Sequence, residues 1–135
     1  MEAFDVEASL PGGPRAAWRA RRLIEAELSG RVPAGVLPDV ALLVTELVAN
    51  GVRHGGADET SAVDVRIEGR ASALHVEVVN PAPADGAVGP RVPDLAGGGG
   101  LGLHIVDRLA SRWGVIEEPC TTVWFELDCP PEKLL

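Results

Sequence analysis

Glu46, Asn50 and His54 recur at four-residue intervals inside "ELVANGVRHG", residues 46–55. A helix turns by about 100° per residue, so positions four apart drift by only about 40° and form one stripe. Val40, Leu43, Val44, Leu47 and Val48 mark the apolar face beside it. The polar stripe therefore runs along the border of the buried face, where the lip of a cleft would lie. A carboxylate at such a lip suits a general base. An asparagine carbonyl one turn further on is a ligand type that Mg²⁺ accepts beside phosphate oxygens and waters. The helix alone also allows a plainer reading, an exposed polar edge with a histidine near the C-terminal end of the dipole.

"GGGGLGLHIV", residues 97–106, sets Gly98, Gly100 and Gly102 at the mouth of another helix-like run. Glycine lets backbone amides approach an anion closely, and a helix start adds unpaired N–H groups. A hinge or a tight helix–sheet contact is the alternative for a glycine run by itself. Taken with the carboxylate–amide stripe, the run points to a nucleotide triphosphate held between two helices.

These side chains need elements to carry them. Trp18, Leu23, Ile24 and Leu28 recur at helical spacing and predict a first helix over about 14–29, stopped by Gly30. The stripe helix starts near Pro38 or Asp39 and stops at Gly55-Gly56. "AVDVRIEG" and "ALHVEVVN" alternate apolar and polar residues and read as two antiparallel strands with one wet face each. Residues 81–99 are rich in proline and glycine, a loop length that is uncommon unless functional. A third helix carrying Leu103, Ile105, Val106, Leu109 and Ala110 follows, then "GVIEE" and "TTVWFELD" as a closing strand pair. The expected order is helix, helix, strand, strand, loop, helix, strand, strand, which suits a two-layer sandwich of sheet and helices.

Composition narrows the chemistry. A chain of 135 residues with 46% hydrophobic and 24% charged residues reads as one globular domain spanning 1–135. Its net charge of −8 argues against broad binding to nucleic acid or an anionic membrane. Arginines do gather in "RAAWRARR", residues 15–22, where Trp18 and its neighbours form a candidate protein contact. The only lysine is Lys133, which excludes a G-x-x-x-x-G-K-[ST] phosphate loop and a kinase site built on an internal lysine. Cys120 and Cys129 lack metal-ligand spacing, and with no signal peptide or long apolar span a reducing cytoplasm is the simplest compartment.

Together, "ELVANGVRHG", the strand end "VEVVN", the proline-glycine loop and "GGGGLGLHIVDRLASRWG…TTVWFEL" resemble the GHKL (Bergerat-fold) ATPase superfamily over about residues 10–128. Within it they are most similar to the stand-alone anti-sigma-factor serine kinases related to histidine-kinase ATPase domains. The resemblance implies an α+β two-layer sandwich, a mostly antiparallel mixed sheet covered on one face by three helices. It implies ATP and Mg²⁺ as cofactors, Glu46 as general base and Asn50 as the Mg²⁺ ligand. Arg53 and His54 match a basic residue and a histidine near the nucleotide. Gly98, Gly100 and Gly102 match the second glycine box, with Leu101 and Leu103 packing behind it. Thr122 matches a threonine that helps hold adenine through a water.

One box departs from the pattern. Where the family reads D-x-G-x-G, this chain has "NPAPA", residues 80–84, so Asn80 replaces the acid that accepts the adenine amino proton. An amide oxygen still accepts that bond, without charge assistance. The resemblance implies a sigma factor and a STAS-domain anti-anti-sigma factor as partners, the latter phosphorylated on serine, and it leaves a homodimer open. Asn80, together with Ala82 where the first glycine of the box should stand, motivates the alternative, a degenerate partner-binding module with weak or no ATP binding. A simple ATP hydrolase could use the same Glu46.

Overall fold

The computed structural model describes residues 1–55, 61–80, 103–117 and 120–129, with the side chains of residues 54 and 55 left out. Strand β1 (Phe4–Pro11) is followed by helices α1 (Ala16–Leu28) and α2 (Leu37–Gly55). Strands β2 (Ala62–Arg70) and β3 (Ala73–Asn80) come next, then α3 (Leu103–Leu109), β4 (Arg112–Ile116) and β5 (Thr121–Asp128). The strands form one sheet in the order β1-β2-β3-β5-β4. All four pairings are antiparallel.

Strand β1 is an addition to the expected order, which began with a helix. Its sequence carries the period-2 signal plainly. Phe4, Val6, Ala8 and Leu10 alternate with Asp5, Glu7 and Ser9, and Val6 and Leu10 are buried while Asp5 and Glu7 are exposed. The following Pro-Gly-Gly ends the strand rather than merely preceding a helix. The expected "GVIEE" strand is shifted two residues earlier, to Arg112–Ile116, because the hydrogen-bonded register pairs Arg112 with Glu126.

The helical layer follows from spacing. Ala16, Ala20, Ile24 and Leu28, each four apart, are fully buried along one line of α1. Gly30 closes that helix with φ 86°, a left-handed turn that glycine adopts without a Cβ clash. In α2, Val40, Leu43, Val44, Leu47 and Val48 are all at most 3% exposed, the apolar face expected from the sequence. α1 packs along α2, and α2 lies on β3 and beside α3.

The sheet presents Val63, Val65, Ile67, Leu74, Val76, Val78, Phe125 and Leu127 to the helices. Its other face carries Asp64, Arg66, Glu68, His75, Glu77, Trp124 and Glu126, by strand alternation. The result is a sandwich of two layers with a single core between them, as the resemblance implied.

Candidate functional site

Glu46 and Asn50 both sit half-buried on α2, on the flank between its core face and solvent. That is the lip position expected from their spacing. Among the described residues, nothing hydrogen-bonds the Glu46 carboxylate. The Asn50 side-chain oxygen accepts a hydrogen bond of 2.9 Å from the exposed Arg53 guanidinium, one turn further on. His54 lies in the last turn of the same helix; its side chain is outside the described residues.

Asn80 ends β3 and shares the helix-facing side with Val78 and Val76 by alternation. It lies directly beneath α2: a methyl built on Gly51 would meet the Asn80 Cγ at 4.0 Å and a Val63 methyl at 3.7 Å. Gly51 is the residue after Asn50, so α2 comes close to the strand end where its polar stripe runs. The Asn80 Oδ1 is buried and has no hydrogen-bond partner among the described residues. Leaving a buried carbonyl unpaired costs about 1–3 kcal/mol, and a ligand amino group or a water held by a ligand recovers it. This orphaned acceptor is the observation that fits the residues to an adenine base.

Thr45 Oγ is a second buried, unpartnered atom. It points about 140° around the helix from Asn50, so it does not share the ledge.

The register sets Thr122, an expected site residue, and its neighbour Thr121 on opposite faces of the sheet. Asn80 pairs with Thr121 across β3 and β5, and Val79 pairs with Thr122. Thr121 has the parity of the buried Phe125 and Leu127, and Thr122 has that of Trp124 and Glu126 on the opposite face. Thr121 therefore lies beside Asn80, with Cβ atoms about 4.5–5.5 Å apart, while Thr122 faces away from the helices. Two adjacent threonines gave no residue-type signal to choose between them; the alternation toward Phe125 could have chosen.

Leu103 is buried at the start of α3, packed into the core. Gly98, Gly100, Leu101 and Gly102 lie outside the described residues. Among the described residues no three His, Cys, Asp or Glu side chains gather into a metal cage. The Asn50 side-chain oxygen is a neutral oxygen of the kind Mg²⁺ accepts beside phosphate. No helix among the described residues is long and apolar enough to cross a membrane.

The arrangement so far is a ledge on α2 bearing a carboxylate, an amide and a guanidinium, above a strand end bearing an unpaired acceptor. A structure of the RsbU and RsbW domains of Rv1364c from Mycobacterium tuberculosis matches this fold with a TM-score of 0.69 at 17% identity. The match covers 98% of this chain and 34% of that one, so the chain spans about a third of the length of that relative. No curated protein matches the sequence. The family described as the histidine kinase-like ATPase domain matches residues 10–127, most of the chain, leaving out most of β1 and the last residue of β5. Family membership implies nucleotide binding, which the orphaned Asn80 acceptor suits, and the chain belongs to the histidine kinase-like ATPase domain family.

Proposed function

We propose that the protein is a regulatory ATP-binding protein of the anti-sigma type. It binds Mg-ATP, sequesters a sigma factor and phosphorylates a serine on a STAS-domain partner. The observation that carries nucleotide binding is the buried, unpaired Asn80 Oδ1 beneath Gly51, one residue from Asn50. In this reading Asn80 and Thr121 receive the adenine edge. Asn50, whose side-chain oxygen accepts a 2.9 Å bond from Arg53, would hold the metal, and the Arg53 guanidinium would supply positive charge for the phosphates. When bound, Mg²⁺ neutralises charge on the phosphate oxygens. Glu46 takes up the proton of the attacking serine hydroxyl. Phosphoryl transfer asks mostly for positioning and charge neutralisation, so the absence of an internal lysine is no obstacle.

The test has two stages. Calorimetric titration with ATP and Mg²⁺ should give micromolar affinity that Asn50→Ala weakens at least tenfold. Labelled ATP should then transfer phosphate to a STAS protein with wild type and not with Glu46→Gln. Binding without transfer would remove the kinase step and keep the nucleotide site.

A second reading rests on Asn80 itself, a neutral acceptor where the family has an acid. Here the chain is a partner-binding module that has lost nucleotide. No heat at millimolar ATP would favour it. Asn80→Asp would then create binding where wild type has none, whereas under the first reading it only strengthens what is present.

A further inference from the structure

The wet face of the sheet holds a charged cluster that the nucleotide reading does not use. His75 on β3 lies between two carboxylates. Its Nδ1 is 2.9 Å from a Glu126 oxygen and its Nε2 is 3.1 Å from a Glu77 oxygen. The ring also stacks on Trp124, centroids 5.7 Å apart and planes 22° off parallel. Charges continue outward on both sides. Arg66 on β2 is 3.6 Å from Glu77, and Arg112 on β4 holds Glu126 at 2.9 Å and Asp128 at 2.5 Å. Glu68 on β2 is the cross-strand neighbour of His75, and Arg70 holds it at 2.8 Å.

A neutral imidazole has one N–H and one lone pair. Whichever nitrogen carried that single proton, the other would set a lone pair against a carboxylate at about hydrogen-bond distance. Both contacts are attractive only when both nitrogens donate. The line Arg66, Glu77, His75, Glu126, Arg112, Asp128 then alternates in sign from end to end.

We infer that this face carries a proton-operated clasp, in which the doubly protonated His75 draws Glu77 and Glu126 together across β3 and β5 and releases one of them when it loses a proton. Partial burial alone disfavours the charged ring, yet the hydrogen bonds to Glu77 and Glu126 outweigh it and raise the His75 pKa above its ordinary 6.5. The stability the clasp contributes is therefore complete below about pH 6.5 and is lost as pH rises through the raised value. The cluster stands apart from Glu46, Asn50 and Asn80, so it holds or fails independently of the nucleotide reading.

Imidazole ¹⁵N and ¹H NMR on the full chain tests it, with the His75 signals assigned by their absence in His75→Gln. The expected His75 midpoint lies above 6.5, with ¹⁵N shifts of a doubly protonated ring below that midpoint. Glu77→Gln and Glu126→Gln each lower that midpoint, and the double variant lowers it further than either, because both carboxylates that hold the charged ring are gone. A wild-type midpoint at or below 6.5, or one that neither substitution moves, overturns the clasp. Melting temperatures give a second readout. Wild type should exceed His75→Gln below pH 6.5 and converge with it above the NMR midpoint. A difference that stays constant with pH overturns the clasp and leaves His75 a packing residue.

Discussion

Gly51→Ala should stabilise the protein, an outcome that depends on how α2 lies on the sheet. Gly51 sits within α2, one turn before its end at Gly55. Glycine in a helix interior costs about 0.8–1 kcal/mol relative to alanine. The added methyl would meet Val63 Cγ2 at 3.7 Å and Asn80 Cγ at 4.0 Å, ordinary contact distances that ask neither neighbour to move. Filling that gap adds up to about 0.8 kcal/mol of apolar burial, less what fraying of the last turn removes. A net gain of about 1 kcal/mol follows. With an unfolding entropy of about 2.1 cal/mol/K per residue over 135 residues, the melting temperature should rise by about 3–4 °C. Circular dichroism melts at one pH and protein concentration measure it directly. An unchanged or lowered melting temperature would refute the reasoning, because it would mean that the helix and strand end already touch. Gly51→Leu extends the test to the site: its bulk must enter the space beside the Asn80 amide. Nucleotide affinity should then fall while the helix content is kept.

Three more outcomes follow from the same coordinates. Phe125 is fully buried on β5, and Phe125→Ala should cost about 3–5 kcal/mol in urea unfolding, with the denaturant slope unchanged. A methyl at Gly114 would lie 2.7 Å from the Trp124 Nε1, so Gly114→Ala should push the indole off His75, change the near-UV circular dichroism and cost about 1–3 kcal/mol. Hydrogen bonds from Arg112, and for Glu126 also from His75, hold the Glu126 and Asp128 pKa values below their ordinary 4.5 and 3.8. Their contribution is present above those ordinary values and is lost as pH falls through the lowered ones. The melting temperature of Arg112→Met should thus trail wild type at pH 7 and converge with it in strong acid, followed in melts from pH 7 to about pH 2.

Most of the architecture was legible because two periods dominate the sequence. The helical spacing of α1 and α2 and the alternation of β2, β3 and β5 appear in the fold, except that Trp18, part of the recurrence read for α1, is 54% exposed. β1 was missed for want of a reading, not of a signal: Phe4, Val6 and Leu10 alternate as clearly as Val63, Val65 and Ile67. The strand is short of context at the sequence level, since its partner β2 lies more than fifty residues away. Its partner's Gly69 offers a further sign only in the fold, where the Phe4 ring lies over the place a Cβ would take.

The site shows where periodicity stops being enough. On α2, spacing alone sets Glu46 and Asn50 on one flank, because helix geometry fixes their relation whatever the rest of the chain does. Between strands the relation depends on register, and a one-residue change moves a side chain to the other face. Thr121 and Thr122 differ by that single step. Their neighbours settle it: Phe125 and Leu127 must be buried, so Thr121 shares their face and Asn80, its cross-strand partner, shares it too. The same parity sends Glu126 to the face where His75 waits for it. One alternation therefore gives β5 two faces, with Thr121 at the proposed site edge and Glu126 in the proposed clasp. Thr121→Val should accordingly weaken nucleotide binding and leave the His75 midpoint unchanged, whereas Thr122→Val should leave both unchanged. Calorimetry beside the NMR titration separates the two, and a loss of affinity in Thr122→Val alone would show that the register, rather than the residue choice, had been misjudged.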